Sequence, residues 1–137
     1  MNPGTAAWDK LVNLKQAGIN RFSIGLQSAD NAELKMLGRI HTYEEFLRTY
    51  RQAREAGFAN INIDLMSALP GQHIENWVRT LEKVVALQPE HISAYSLIIE
   101  EGTQLYEHRD TWAPVPDEEE DRQMYQETKR ILAEHGY

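Results

Sequence analysis

Apolar residues alternate with small or polar ones in two short stretches of the chain, Arg21-Phe-Ser-Ile-Gly-Leu-Gln-Ser28 and Asn60-Ile-Asn-Ile-Asp-Leu-Met66. Successive side chains on a strand point to opposite faces, so Phe22, Ile24 and Leu26 share one face while Ser23, Gly25 and Gln27 share the other. In the second stretch Ile61, Ile63 and Leu65 oppose Asn62 and Asp64 in the same way. Both strands are approached through an Ala-Gly pair: Ala17-Gly-Ile-Asn-Arg-Phe-Ser-Ile24 can be laid over Ala56-Gly-Phe-Ala-Asn-Ile-Asn-Ile63, the mark of a repeated helix-loop-strand unit. A third strand is expected over Ile92-Ser-Ala-Tyr-Ser-Leu-Ile-Ile99, after Pro89 has stopped the preceding helix.

Helical spacing fills the intervals between strands. Trp8, Leu11 and Leu14 form an inward face that Gly18 ends. Thr42-Tyr-Glu-Glu45 has the form of a capping box and opens a helix with Phe46, Leu47, Tyr50 and Ala53 inward, closed at Gly57. Ile74, Trp77, Val78, Leu81, Val84 and Val85 make the cleanest apolar stripe, suited to packing on a sheet. A loop from Glu101 to Pro116 leads into a last helix at Asp117 whose apolar side is Met124, Tyr125, Ile131 and Leu132. The acidic run Asp117-Glu-Glu-Glu-Asp121 is read as a solvated first turn, because carboxylates there oppose the positive end of the helix dipole and need no metal.

Helices alternating with strands imply a parallel sheet with right-handed crossovers, either doubly wound and open or part of a (β/α) barrel. A strand between two helical layers should be apolar on both faces. These strands have one polar face, and neither GxGxxG nor GxxxxGK[ST] occurs, so the barrel is favoured. The expected fold is therefore α/β, a segment of a partial (β/α) TIM-like barrel occupying residues 1–137 as one partial domain. Asn2-Pro-Gly-Thr5 is turn chemistry with no strand before it, and His135-Gly-Tyr137 repeats the pre-strand pattern with no strand after it, so the barrel is expected to be cut at both ends.

Composition narrows the chemistry. A formal net charge of -7 and the lack of a basic stripe argue against nucleic acid as a partner. With no apolar run of about 20 residues, no membrane span is expected, and without a signal-peptide pattern the chain reads as cytoplasmic. The 137 residues include no cysteine, which excludes disulfides and thiolate ligands within them.

Four blocks carry a family resemblance: Gly25-Leu-Gln-Ser28, Leu37-Gly-Arg-Ile-His-Thr42, Ile63-Asp-Leu-Met-Ser-Ala-Leu-Pro-Gly-Gln72 and Ile92-Ser-Ala-Tyr-Ser-Leu97. In this order and at these separations the chain resembles the oxygen-independent coproporphyrinogen III oxidase family of radical S-adenosylmethionine proteins. The resemblance implies a barrel of radical SAM type that holds a 4Fe-4S cluster on a CxxxCxxC loop after its first strand. That loop is absent here, so this chain would run from the end of the third strand to just before the seventh, with the cluster ligands and the C-terminal domain outside it. It would be inert by itself. The family contains true oxidases, which use S-adenosylmethionine to decarboxylate porphyrinogen propionates oxidatively, and a second branch that acts as a haem chaperone. Leu37-Gly-Arg-Ile-His-Thr42 and Asn2-Pro-Gly-Thr5 look more like the chaperone branch. Porphyrin or haem is accordingly the implied partner beside S-adenosylmethionine. An unrelated or inactive truncated (β/α) scaffold is the remaining alternative.

By the same resemblance three residues bind cofactor. Gln27 matches the glutamine that contacts S-adenosylmethionine, and its amide can donate and accept toward ribose or carboxylate oxygens. Arg39 matches the arginine that reaches the cofactor carboxylate, and Asp64 the aspartate on the ribose and sulfonium side. Each has a plainer structural alternative: an amide bridging strand ends, an exposed arginine after Gly38, and an aspartate paired with Asn62 or Arg21. Neither a catalytic nor a metal-binding residue is expected in this chain. His41 has no partner at metal spacing and is read as structural. Leu69-Pro-Gly-Gln72 is expected to turn tightly beside the cleft, which Ser93 and Tyr95 could line, and His73 stands where the family has threonine, which weakens a helix cap.

Overall fold

Alternation of apolar and polar residues produces the expected sheet. The computed structural model describes residues 1–5 and 7–137, without the side chains of Gln104 and Arg109. Strands β1 (Phe22–Gln27), β2 (Ile61–Ser67) and β3 (His91–Ser96) lie in the order β1-β2-β3, and both pairings are parallel. Helices α1 (Trp8–Gln16), α2 (Asn31–Met36), α3 (Tyr43–Glu55), α4 (Ile74–Val85), α5 (Gln104–Glu107) and α6 (Glu118–Glu134) make up the rest of the regular structure, with a 3-10 turn at Arg109–Thr111.

Only one face of the sheet carries the core. Phe22, Ile24 and Leu26 of β1 and Ile61, Ile63 and Leu65 of β2 join Leu11 of α1, Phe46, Tyr50 and Ala53 of α3, Trp77, Leu81, Val84 and Val85 of α4, and Met124 and Ile131 of α6 in a single apolar cluster. The helices thus cover the apolar face and leave the polar one bare, the one-sided layering of a (β/α) barrel wall. The Thr42–Glu45 capping box forms as the sequence predicts, with both reciprocal hydrogen bonds. His73, where a cap was expected to be weak, caps α4 with no side-chain hydrogen bond.

Several boundaries differ from the sequence expectation. Strand β3 stops at Ser96 rather than Ile99, because Ser96 pairs with Ser67, the last residue of β2, and Leu97 N donates the final bond to Ser67 O at 2.9 Å. A strand has no ladder beyond its neighbour's end, and Ile98 is consequently exposed. Tyr125 also turns outward, 63% exposed, since Met124 takes the inward position of α6 beneath Trp77. Trp8 is half-exposed, leaving Leu11 as the fully buried residue of α1. The short helix α2 has no counterpart in the sequence reading; Asp30 caps it by accepting from the amides of Ala32 and Glu33.

Candidate functional site

The polar face of the sheet is a connected hydrogen-bond network. Asp64 accepts from Ser23 Oγ at 3.0 Å through Oδ2 and from Asn62 Nδ2 at 2.6 Å through Oδ1. Asn62 Nδ2 also lies 2.9 Å from Ser23 Oγ, while Asn62 Oδ1 accepts from Ser93 Oγ at 3.1 Å and sits 2.5 Å from His91 Nδ1. Three strands therefore contribute to one polar surface, on which Asp64 is half-buried and Asn62 fully so. The structural partner foreseen for Asp64 is Asn62, and Ser23 takes the place of Arg21, whose residue is exposed.

Gln27 reaches this face by an irregular route. Pairing between β1 and β2 slips between Gly25 and Gln27, and Gln27 adopts a left-handed φ of 74°. Its side chain folds back across Gly25, where a Cβ would stand only 3.0 Å from Gln27 Nε2. Glycine at 25 is what lets the amide lie there. Gln27 Oε1 accepts from Tyr95 OH at 3.1 Å, and Nε2 makes no hydrogen bond among the described residues. The expected bridge between strand ends exists, through Tyr95, with Gln27 itself buried at 5% exposure. Ala68, directly after β2, has a left-handed φ as well. Such backbone costs about 1–3 kcal/mol per non-glycine residue and gathers at ligand-binding edges. Here it occurs at the carboxyl ends of β1 and β2, and also at Gln88 between α4 and β3.

Arg39 follows α2 through Gly38, whose φ of 68° ends the helix. Its guanidinium forms no hydrogen bond or ion pair among the described residues, with Gln27 and Asp64 included. The structure thus brings Gln27 and Asp64 onto one face, and Arg39 lies two residues before His41 in the segment that follows α2. His41 is buried with Nε2 3.4 Å from the carbonyl oxygen of Leu26.

Burial, the largest influence, pushes the His41 pKa below its ordinary 6.5; the Leu26 carbonyl opposes this, Arg39 adds to the lowering, and Glu45 counters it. A base with a depressed folded pKa is neutral in the fold while the unfolded chain takes up a proton. Its contribution is complete above pH 6.5 and is lost as pH falls from there toward the lower folded value. Urea unfolding of the wild type should lose stability from about pH 7 to about pH 5 more steeply than His41→Gln does. Equal slopes for the two proteins would show that His41 does not titrate in this window.

The Leu69-Pro-Gly-Gln72 turn forms, with Gln72 N donating to Leu69 O at 2.9 Å and Gly71 at φ 70°. The segment after β3 sits on it through Gly71 N and Pro114 O, 2.8 Å apart. Behind this turn lies a cluster that the sequence reading missed. Glu33 of α2, buried, accepts from Ser28 Oγ at 2.5 Å and from Gln72 Nε2 at 2.9 Å. Ser28 and Gln72 end two of the motif blocks, but a glutamate in a short polar helix gives no signal of burial. No group of three or more His, Asp or Glu side chains suited to a metal gathers among the described residues. None of the described helices is long and apolar enough to cross a membrane.

On the polar face Asp64 is the residue paired with Gly25, and the Gln27 amide lies over that glycine. In comparison with known proteins, residues 1–84 match the family model of the Radical SAM superfamily. The chain belongs to this superfamily. Among curated relatives, it is 39% identical over 137 residues to "Heme chaperone HemW" of Escherichia coli, covering 99% of this chain and 35% of that one. The mouse "Radical S-adenosyl methionine domain-containing protein 1, mitochondrial" is also 39% identical, over 99% of this chain and 31% of its own length. In fold the chain matches the E. coli coproporphyrinogen III oxidase HemN, a radical SAM enzyme, with a TM-score of 0.87 at 27% identity, covering 100% of this chain and 32% of that one. It spans about a third of the length of these proteins. The barrel reading of the sheet is borne out by that likeness, as is the family resemblance carried by the motif blocks.

Proposed function

We propose that this chain is the S-adenosylmethionine-facing part of a haem chaperone-like radical SAM protein of the oxygen-independent coproporphyrinogen III oxidase family. The observation that carries the reading is the convergence of Gln27 and Asp64 on the single uncovered sheet face, within a chain that is similar to haem chaperones along nearly its whole length. In this reading Asp64 accepts from ribose hydroxyls, the Gln27 amide meets ribose or carboxylate oxygens, and Arg39 takes the carboxylate with its planar fork. Residues 1–137 form a single partial radical SAM barrel domain. Its sequence has no thiolate, so the 4Fe-4S cluster would be held by residues outside it. When bound, that cluster supplies the electron for reductive cleavage of S-adenosylmethionine. This chain's own residues bind and orient the nucleoside. The proposed compartment is the cytoplasm; the mouse relative's name places that protein in the mitochondrion.

Likeness to the E. coli oxidase favours a second reading, in which the same face serves porphyrinogen decarboxylation. The greater identity to the haem chaperone, 39% against 27%, supports the first. The cluster-reconstituted full-length protein separates them. Haem titration should give a saturable shift of the Soret band, and coproporphyrinogen III should be left unconverted. Decarboxylated product with no haem binding would reverse the assignment.

A further inference from the structure

The buried Glu33 cluster calls for an explanation that the proposed ligands do not supply. Glu33 is 7% exposed, and while its Oε2 takes both hydrogen bonds, its Oε1 is buried with no partner among the described residues. An unsatisfied buried carboxylate oxygen is costly, and an apolar residue of similar volume would often serve packing better. What the carboxylate achieves is a tie. Ser28 Oγ, which donates to Glu33, also accepts from Asp30 N at 3.0 Å, so the residue directly after Gln27 is held from two sides. Gln72 anchors the other end of the tie to the turn that follows β2. Gln27 itself stands in a left-handed conformation that its own side chain does not favour. Something next to it must hold it there.

We infer that Glu33 is a positioning residue for Gln27: its carboxylate, braced on Gln72, fixes Ser28 and thereby keeps the Gln27 amide folded over Gly25 toward the ligand. The inference rests on the reading of Gln27 as a contact to S-adenosylmethionine. One acceptor oxygen, Oε2, rather than charge, makes the tie, so glutamine, which keeps one such oxygen, should replace glutamate and methionine should not.

The test is calorimetric titration of the cluster-reconstituted full-length protein with S-adenosylmethionine. Glu33→Met should weaken binding more than about fivefold, and Glu33→Gln should restore it. Placed on Gln27→Ala, Glu33→Met should add almost nothing, because the two act on one contact. A loss under about fivefold, a loss that glutamine does not restore, or a loss retained in full on the Gln27→Ala background overturns the inference. A merely structural role would give that last, additive result. Should Glu33→Met fail to fold, Ser28→Ala cuts the same tie and is read by the same loss and the same Gln27→Ala cycle. Unchanged affinity in Gln27→Ala would sink the ligand reading of Gln27 and the inference with it. A weakened Gln27→Ala beside an unaffected Glu33→Met would sink the inference alone.

Discussion

Truncating Trp77 to alanine is expected to destabilise the fold by about 3–5 kcal/mol, the range for emptying a large aromatic site in a close-packed core. Trp77 is completely buried in the cluster between the sheet and the helices. Its indole nitrogen also donates to Met124 O at 3.2 Å and Thr128 Oγ1 at 2.8 Å, so the residue fastens α4 to α6 as well as filling space. Thr128 Oγ1 has a second partner in Met124 O at 2.7 Å, which limits the hydrogen-bonding part of the loss; the cavity dominates. Tyr125, one position beyond Met124 and largely exposed, is the control: its truncation should change stability by less than about 0.5 kcal/mol. Urea unfolding midpoints of the two variants decide the matter. A Trp77→Ala loss below about 1 kcal/mol would mean that α6 does not dock on α4 as described.

Asp64→Ala, Gln27→Ala and Arg39→Ala should each weaken S-adenosylmethionine binding in the cluster-bearing full-length protein by about 1–3 kcal/mol, or roughly 5- to 150-fold. Their effects on stability should differ. Asp64 is the acceptor for Ser23 and Asn62, so alanine there leaves two donors of the polar face without their partner and should lower the unfolding midpoint as well. Arg39 makes no hydrogen bond or ion pair among the described residues, and its removal should leave the midpoint where it was. Arg39→Ala is thus the clean measure of a ligand contact. Calorimetric titration with S-adenosylmethionine reads the affinities. Unchanged binding in all three variants would show that these residues do not meet the ligand, with the superfamily assignment untouched.

The local pattern of the sequence determined the parts of this protein that depend on near neighbours. Period-two alternation was enough to fix β1 and β2 and to sort Ser23, Asn62 and Asp64 from Ile24, Ile61 and Ile63, because a strand's faces are set by adjacent positions. The start of α3 was legible in Thr42 and Glu45, three residues apart and bonded to each other. The apolar stripe of α4 was likewise read correctly, since residues one turn apart share a face. Motif blocks at fixed separations carry the superfamily in the sequence alone.

Tertiary structure alone decided what depends on distant residues. β3 ends at Ser96 because β2 ends at Ser67, and nothing in Leu97-Ile-Ile99 announces that its partner has run out. Met124 rather than Tyr125 faces inward because Trp77, from another helix, occupies the space above it. Alternation put Gln27 on the correct face, yet the slip in pairing, the left-handed backbone and the fold over Gly25 come from β2 and from Tyr95 on β3. Glu33 is the furthest from sequence reach. A charged residue in a short polar helix is solvated unless chain segments elsewhere enclose it, and here one of its two partners is Gln72, 39 residues away. Local periodicity records which face a residue takes; burial and pairing across the fold are set by which faces meet, and that is fixed only when the strands and helices close on one another.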